Sequence, residues 1–171
     1  RPASAAAPTA GLHLTERVLT ALGERGVGTA QVELVVGLDT FRPLSTDTVE
    51  DHQIHTERYS VPDAAWDAVT RTRADGGRVV AVGTTSVRAL ESRAARGESS
   101  GRTDLFITPG FEFQVVDQMI TNFHMPRTSL LALVQAFVGP HWRDLYAPAL
   151  DAGYRFLSFG DAVLPSRSDL R

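Results

Sequence analysis

The stretch from Thr121 to Phe137, TNFHMPRTSLLALVQAF, constrains this fold more than any other. It continues the apolar run QVVDQMI, which reads as a buried strand ending on Asn122 and His124. Pro126 biases Met125 toward extended backbone, and Thr128 or Ser129 can cap a helix start. Leu130, Leu131, Leu133, Val134, Ala136 and Phe137 then leave almost no polar face, and such a helix belongs in a core. An amide, an imidazole and the Arg127 guanidinium therefore fall where a buried strand hands over to a buried helix. Backbone N–H groups at such a junction can hold an anion. The same residues also suit a hydrogen-bonded core histidine and a surface arginine; spacing does not choose between these readings.

Around that junction, strands alternate with helices. Thr15 before ERVLTALGERG predicts a capped helix with Val18, Leu19 and Leu22 on one face and Gly26 past its end. TAQVELVV predicts a strand, residues 37–55 a long loop without period, and ERYSV a short strand. A helix follows from Pro62 to Gly76–Gly77. RVVAVG predicts a buried strand and TTSVRALESRAARG the helix after it. Residues 97–104, polar and rich in Gly and Ser, read as a mobile connection. TDLFIT, FEFQVV and QMITNF predict three more strands, His141 to Asp151 a second late helix, and YRFLSF a last strand. The expected class is α/β, a mixed sheet covered by helices. A chain of 171 residues can bury one sizeable core, so residues 1–171 are expected to form one domain.

Composition narrows the function classes. Without Cys, neither disulfides nor thiolate metal sites are open to these residues. No segment approaches the roughly 20 apolar residues of a membrane span, and RPASAAAPTA lacks a signal peptide's order, so a cytoplasmic protein is expected. All 17 basic residues are Arg, and the net charge of −3 argues against the whole surface being a nucleic-acid platform.

Three segments carry candidate chemistry. Gly83-Thr84-Thr85-Ser86 sits between a strand and a helix, where Gly allows a tight turn and hydroxyls and N–H groups face the sheet edge. Arg88 in the first helical turn could reach the same anion. A helix start with no ligand fits equally well. No GxGxxG or GxxxxGK[ST] is present, which removes dinucleotide and P-loop readings. Asp51-His52-x-x-His55-x-Glu57 is the densest ionisable cluster. Its metal reading is weak, because HxxH with one carboxylate sits in loop-like sequence; acid–base chemistry fits better. No metal is expected. His13, after Pro8-Thr9-Ala10-Gly11, is a further candidate, since small residues admit a ligand close to backbone.

These segments also carry a resemblance. TNFHMPRTSLL resembles the TNFHLP-x-STLL segment of the S-adenosylmethionine:tRNA ribosyltransferase-isomerases, enzymes of queuosine biosynthesis. Residues 5–14 (AAAPTAGLHL), 36–41 (VGLDTF), 51–57 (DHQIHTE), 81–92 (AVGTTSVRALES), 105–113 (LFITPGFEF) and 154–164 (YRFLSFGDAVL) resemble other segments of that family, in the same order. Members run to roughly twice this length, so the chain is expected to be the carboxy-terminal half of a longer protein and the major part of its catalytic domain. The isolated half is expected to be inactive and marginally stable. The resemblance implies transfer and isomerisation of the ribosyl group of S-adenosylmethionine onto the aminomethyl group of a 7-deazaguanine at the tRNA wobble position. Adenine and methionine leave, and epoxyqueuosine forms. S-adenosylmethionine would be a co-substrate, with no prosthetic group; the partners would be tRNA and the amino-terminal half of the same polypeptide.

Three proton-handling steps would then match His13, His55 and His124, without assignment among them. Asn122, Thr85 and Asp51 would orient substrate, and Arg88 and Arg127 would meet anions. Pro8, Thr9, Gly11, Thr40, Phe41, His52, Gly83, Thr84 and Ser86 would line the substrate site. The chain departs from the family at Val35, where a His is usual, and at Asp39, where a Gly is usual. Those departures leave two alternatives: a relative acting on a free 7-deazaguanine nucleoside, and a non-catalytic protein that binds tRNA or nucleosides.

Overall fold

The computed structural model describes residue 4, residues 7–37 and residues 56–167. The elements in order are a 3-10 turn (Thr9–His13), α1 (Glu16–Glu24), β1 (Glu33–Val35), β2 (Glu57–Ser60), α2 (Asp63–Ala74), β3 (Val80–Val82), α3 (Thr84–Arg96), β4 (Ser100–Thr103), β5 (Gln118–Asn122), α4 (Ser129–Val138), α5 (Trp142–Asp151) and β6 (Ala162–Val163). The class is α/β. Among the described residues the strands form two sheets rather than one: β1-β2-β4, antiparallel throughout, and β3-β5-β6, in which β3 and β5 are parallel and β6 is antiparallel to β5.

Helix α3 joins the two sheets, packing on β1, β2, β3 and β5. Val87, Ala89 and Leu90 on α3 enter a core shared with Val61, Ala81, Val116 and Met119. Helix α4 is sequestered as its composition demands, with Leu131, Leu133, Val134 and Phe137 buried. Thr128 caps it by accepting the Leu131 N–H at 3.2 Å, and Thr15 caps α1 by accepting from Val18.

Several expected elements differ. Residues 97–104 are no loose connection: Ser100–Thr103 pair with β2 along the register Glu57↔Thr103 to Ser60↔Ser100. TDLFIT and FEFQVV form no strands beyond Thr103. The backbone of the second segment is bound by a side chain instead. Glu91, fully buried on α3, accepts the N–H groups of Gln114 (2.8 Å), Val115 (3.0 Å) and Val116 (2.9 Å), which removes the donors a ladder would need. YRFLSF is also not a strand. Leu157 and Phe159 take φ of 66° and 61°, folding residues 155–161 into a loop closed by the Asp161 N–H on the Arg155 carbonyl at 2.8 Å. Gly160 is required there, since a Cβ would strike the Arg155 and Phe156 carbonyls. Among the described residues, no helix is long and apolar enough to cross a membrane.

Candidate active site at the carboxyl edge of the mixed sheet

Because β3 and β5 are parallel, their carboxyl ends open onto one sheet edge, the usual place for a ligand in an α/β fold. Gly83 follows β3 with φ of 88°, a conformation that favours glycine, and its N–H donates to the Ile120 carbonyl at 2.8 Å. Helix α3 starts immediately and has no side-chain cap. The Ser86 hydroxyl turns back to the Val82 carbonyl at 2.8 Å and the Ser86 N–H donates to the Gly83 carbonyl at 3.1 Å, so the N–H groups of Thr84 and Thr85 remain for an occupant of the space above.

The third wall comes from the 3-10 turn at Thr9–His13. The Thr9 hydroxyl donates to Asn122 Oδ1 at 3.1 Å, closing a separation of 113 residues. Asn122 Nδ2 in turn donates to the carbonyls of Asp161 (3.4 Å) and Gly160 (3.5 Å). One buried amide thus ties the amino-terminal turn, the end of β5 and the 155–161 loop together.

Beside it, Thr121 Oγ1 lies 2.8 Å from His124 Nε2, and the His124 backbone N–H donates to the Tyr146 hydroxyl at 3.1 Å. Burial pushes the imidazole from the ordinary 6.5 down to about 4, so the ring is neutral near pH 7. Between these walls lies a cleft of about 760 Å³. Pro8–Gly11, Gly83–Ser86, Thr121, Asn122 and His124 supply its polar parts, and Leu34, Val36, Val69 and Val79 supply apolar wall. A space that is largely apolar with a few converging polar groups suits a nucleoside-sized ligand.

Comparison with known proteins gives the family. The family described as "Queuosine biosynthesis protein" matches residues 1–164. The chain belongs to this family. Among curated relatives, the S-adenosylmethionine:tRNA ribosyltransferase-isomerase of Azoarcus sp. (strain BH72) is 53% identical over 172 residues, covering 98% of this chain and 50% of the relative. That of Dechloromonas aromatica (strain RCB) is 50% identical over 172 residues, covering 98% and 49%. The crystal structure of the S-adenosylmethionine tRNA ribosyltransferase from Thermotoga maritima superposes with a TM-score of 0.76 at 43% identity, covering 91% of this chain and 51% of that one. The chain spans about half the length of the curated relatives it matches.

Within this chain, the expected site residues fall into three groups. Pro8, Thr9, Gly11, Gly83, Thr84, Thr85, Ser86, Asn122 and His124 line one cleft. His13, Arg88 and Arg127 do not line it. His13 is exposed at the end of its turn, on the side of Asp161: that carboxyl is held low mainly by the Arg155 N–H and, most weakly, by His13. Arg127 is exposed in the turn before α4, at φ of 58°. Arg88 is buried and committed inward. Its guanidinium pairs with Glu57, and its Nε–H donates to the Leu105 carbonyl at 3.1 Å, while Glu57 also accepts the Gly37 N–H at 3.0 Å. Thr40, Phe41, Asp51, His52 and His55 lie outside the described residues, as does Asp39.

Sequence reasoning missed Thr121 and Tyr146. Thr121 stands three residues before His124 in the quoted segment, so proximity to the imidazole was a usable signal. The contact of Tyr146 with the His124 backbone had none, because it depends on how α5 folds back. Glu57 closes the cluster read as acid–base machinery, yet it serves β2 and α3. Among the described residues no group of three or more His, Asp or Glu could hold a metal ion.

Proposed function

We propose that this chain is the carboxy-terminal, substrate-binding half of an enzyme that moves the ribosyl group of S-adenosylmethionine to the aminomethyl group of 7-aminomethyl-7-deazaguanine at the tRNA wobble position. Isomerisation gives epoxyqueuosine, and adenine and methionine leave. The observation that carries this reading is the convergence of three separate family segments, PTAG, GTTS and TNFH, on one cleft. The names of relatives about half identical to the chain support S-adenosylmethionine and tRNA as the substrates.

In this reading the start of α3 receives the methionine carboxylate, since the uncapped N–H groups of Thr84 and Thr85 and the helix dipole favour an anion. The apolar wall takes the adenosyl group, and Asn122 holds the edge of the site in shape. The sulfonium acidifies the 5′ C–H, so a positioned base starts the reaction, and the attacking amine must be neutral. His13 and His55 are the candidate proton acceptors, with Asp51, His52, Thr40 and Phe41 completing the substrate site. Arg127, exposed before α4, would meet tRNA phosphate. S-adenosylmethionine is consumed as a co-substrate, and the remaining half of the polypeptide completes the site. The location is the cytoplasm, where tRNA is modified.

The test is to incubate the complete polypeptide with S-adenosylmethionine and tRNA bearing the aminomethyl-deazaguanine, following adenine release and tRNA mass. Adenine release with the matching mass gain is expected. Cofactor binding without release on tRNA, but with release on the free nucleoside, would replace the acceptor and implicate Val35 and Asp39.

A further inference from the structure

Among the described residues, His124 is the one imidazole that lines the cleft. A neutral imidazole carries hydrogen on one nitrogen and a lone pair on the other, and the two choices perform opposite tasks. The hydroxyl of Thr121 decides between them. Thr121 is 1% exposed, and its Oγ1 meets His124 Nε2 at 2.8 Å with no other hydrogen-bond partner among the described residues. Were Nε2 the protonated nitrogen, the hydroxyl would accept from it, and its own hydrogen would be buried with no acceptor. A buried donor left unsatisfied is the costlier outcome. When the hydroxyl donates to Nε2 instead, its hydrogen is placed and the ring hydrogen falls on Nδ1. Nδ1 is not among the buried atoms lacking a partner, in keeping with a ring that faces open cleft.

We propose that Thr121 is a positioning residue that fixes His124 as the Nδ1–H tautomer, so that His124 offers the cleft a hydrogen-bond donor rather than a base. Its partner is an acceptor nitrogen or oxygen of a nucleoside; in the functional reading above, on which this identification rests, that is a base nitrogen or ribose oxygen of S-adenosylmethionine. The ring keeps its proton, because loss of Nδ1–H from a neutral imidazole would leave an imidazolate. Burial holds the ring uncharged, which is the state this arrangement requires. Proton acceptance in the reaction then falls to groups other than His124.

The direct test is long-range proton–nitrogen NMR on the complete polypeptide labelled with 15N-histidine, with His124 assigned by loss of its signals in His124→Gln. A bare Nε2 and a protonated Nδ1 are expected; a protonated Nε2 overturns the proposal. A second arm compares Thr121→Ser with Thr121→Val by calorimetry with S-adenosylmethionine. The Ser variant keeps the donor and should bind within about twofold of wild type, while the Val variant should bind about tenfold more weakly. Wild-type affinity in Thr121→Val overturns the role of Thr121. The tautomer is read on the wild-type protein, so it stands even if the Val variant does not fold. A protein that shows Nδ1–H but does not bind S-adenosylmethionine would instead count against the functional reading.

Discussion

Two sets of buried polar groups adjoin α3, and they are closed in different ways. On the inner face, polar atoms end on protein. Glu91 takes three backbone N–H groups, Ser92 and Thr103 share a hydrogen bond of 2.7 Å, and Arg93 holds the Val61 carbonyl and, at 2.9 Å, Asp63. Arg88 holds Glu57 and Leu105, with only its Nη2 unpaired among the described residues. At the sheet edge, Thr9 bonds Asn122 and Thr121 bonds His124, and the two pairs leave an imidazole and a helix start facing open space. Burial alone therefore does not mark a functional group. The edge differs because its bonded pairs stop short of closure, which is where a ligand can complete them.

The inner face should be the more costly to disturb. Glu91→Ala removes one acceptor group from three buried N–H donors and should destabilise the complete polypeptide by about 4 kcal/mol in urea unfolding. A loss under about 1 kcal/mol would show that water replaces the carboxyl and that the two regions are not distinct. Arg88→Met leaves Glu57 without its guanidinium and should cost about 3 kcal/mol. The folded variant should bind S-adenosylmethionine within about twofold of wild type. An affinity loss without a stability loss would move Arg88 from the inner set to the ligand set.

The sheet edge should reveal itself through pH. The unfolded chain protonates His124 near 6.5, whereas the folded ring resists until about 4. Above 6.5 both states are neutral and this residue contributes no pH dependence. Between those values the unfolded state binds more protons, so stability falls as pH falls, by on the order of 3 kcal/mol across the interval. His124→Gln should flatten that part of the profile. Parallel urea profiles for the two proteins between pH 7 and pH 4 would falsify the assignment of a buried neutral ring.

The contrast between the regions was partly legible in the sequence. GTTS and TNFH stand where strands give way to helices, and local periodicity locates such junctions. That they share a cleft follows from the parallel pairing of β3 with β5, which strand alternation only suggests. The small residues around Thr9 suggest room for a ligand, but nothing local announces its partner 113 residues away. Arg88 was read as an anion ligand from its place in the first helical turn. Its spacing of three from Glu91 and four from Ser92 puts all three on one helix face, and that inward face was available to the same reading. The mistaken strands share a physical reason. FEFQVV has strand composition, but the Glu91 carboxyl takes its donors, and YRFLSF gives way to left-handed turns at Leu157 and Phe159. Propensity reports neither a distant side chain nor a loop pinned by Asn122.

The smallest effect expected tests whether the edge is one unit. Thr9→Val keeps shape and removes the hydroxyl that donates to Asn122, so it should cost about 1 kcal/mol. Asn122→Ala should cost more, since it also releases the Gly160 and Asp161 carbonyls. If the three segments act through one amide, the double variant should lose about 1 kcal/mol less than the sum of the singles. Strict additivity would mean that the 3-10 turn and the 155–161 loop reach the cleft independently. The same cycle read as S-adenosylmethionine affinity separates cause from place: coupling in stability with none in binding would make Asn122 a clasp of the fold, and coupling in both would make it part of the surface that a ligand completes.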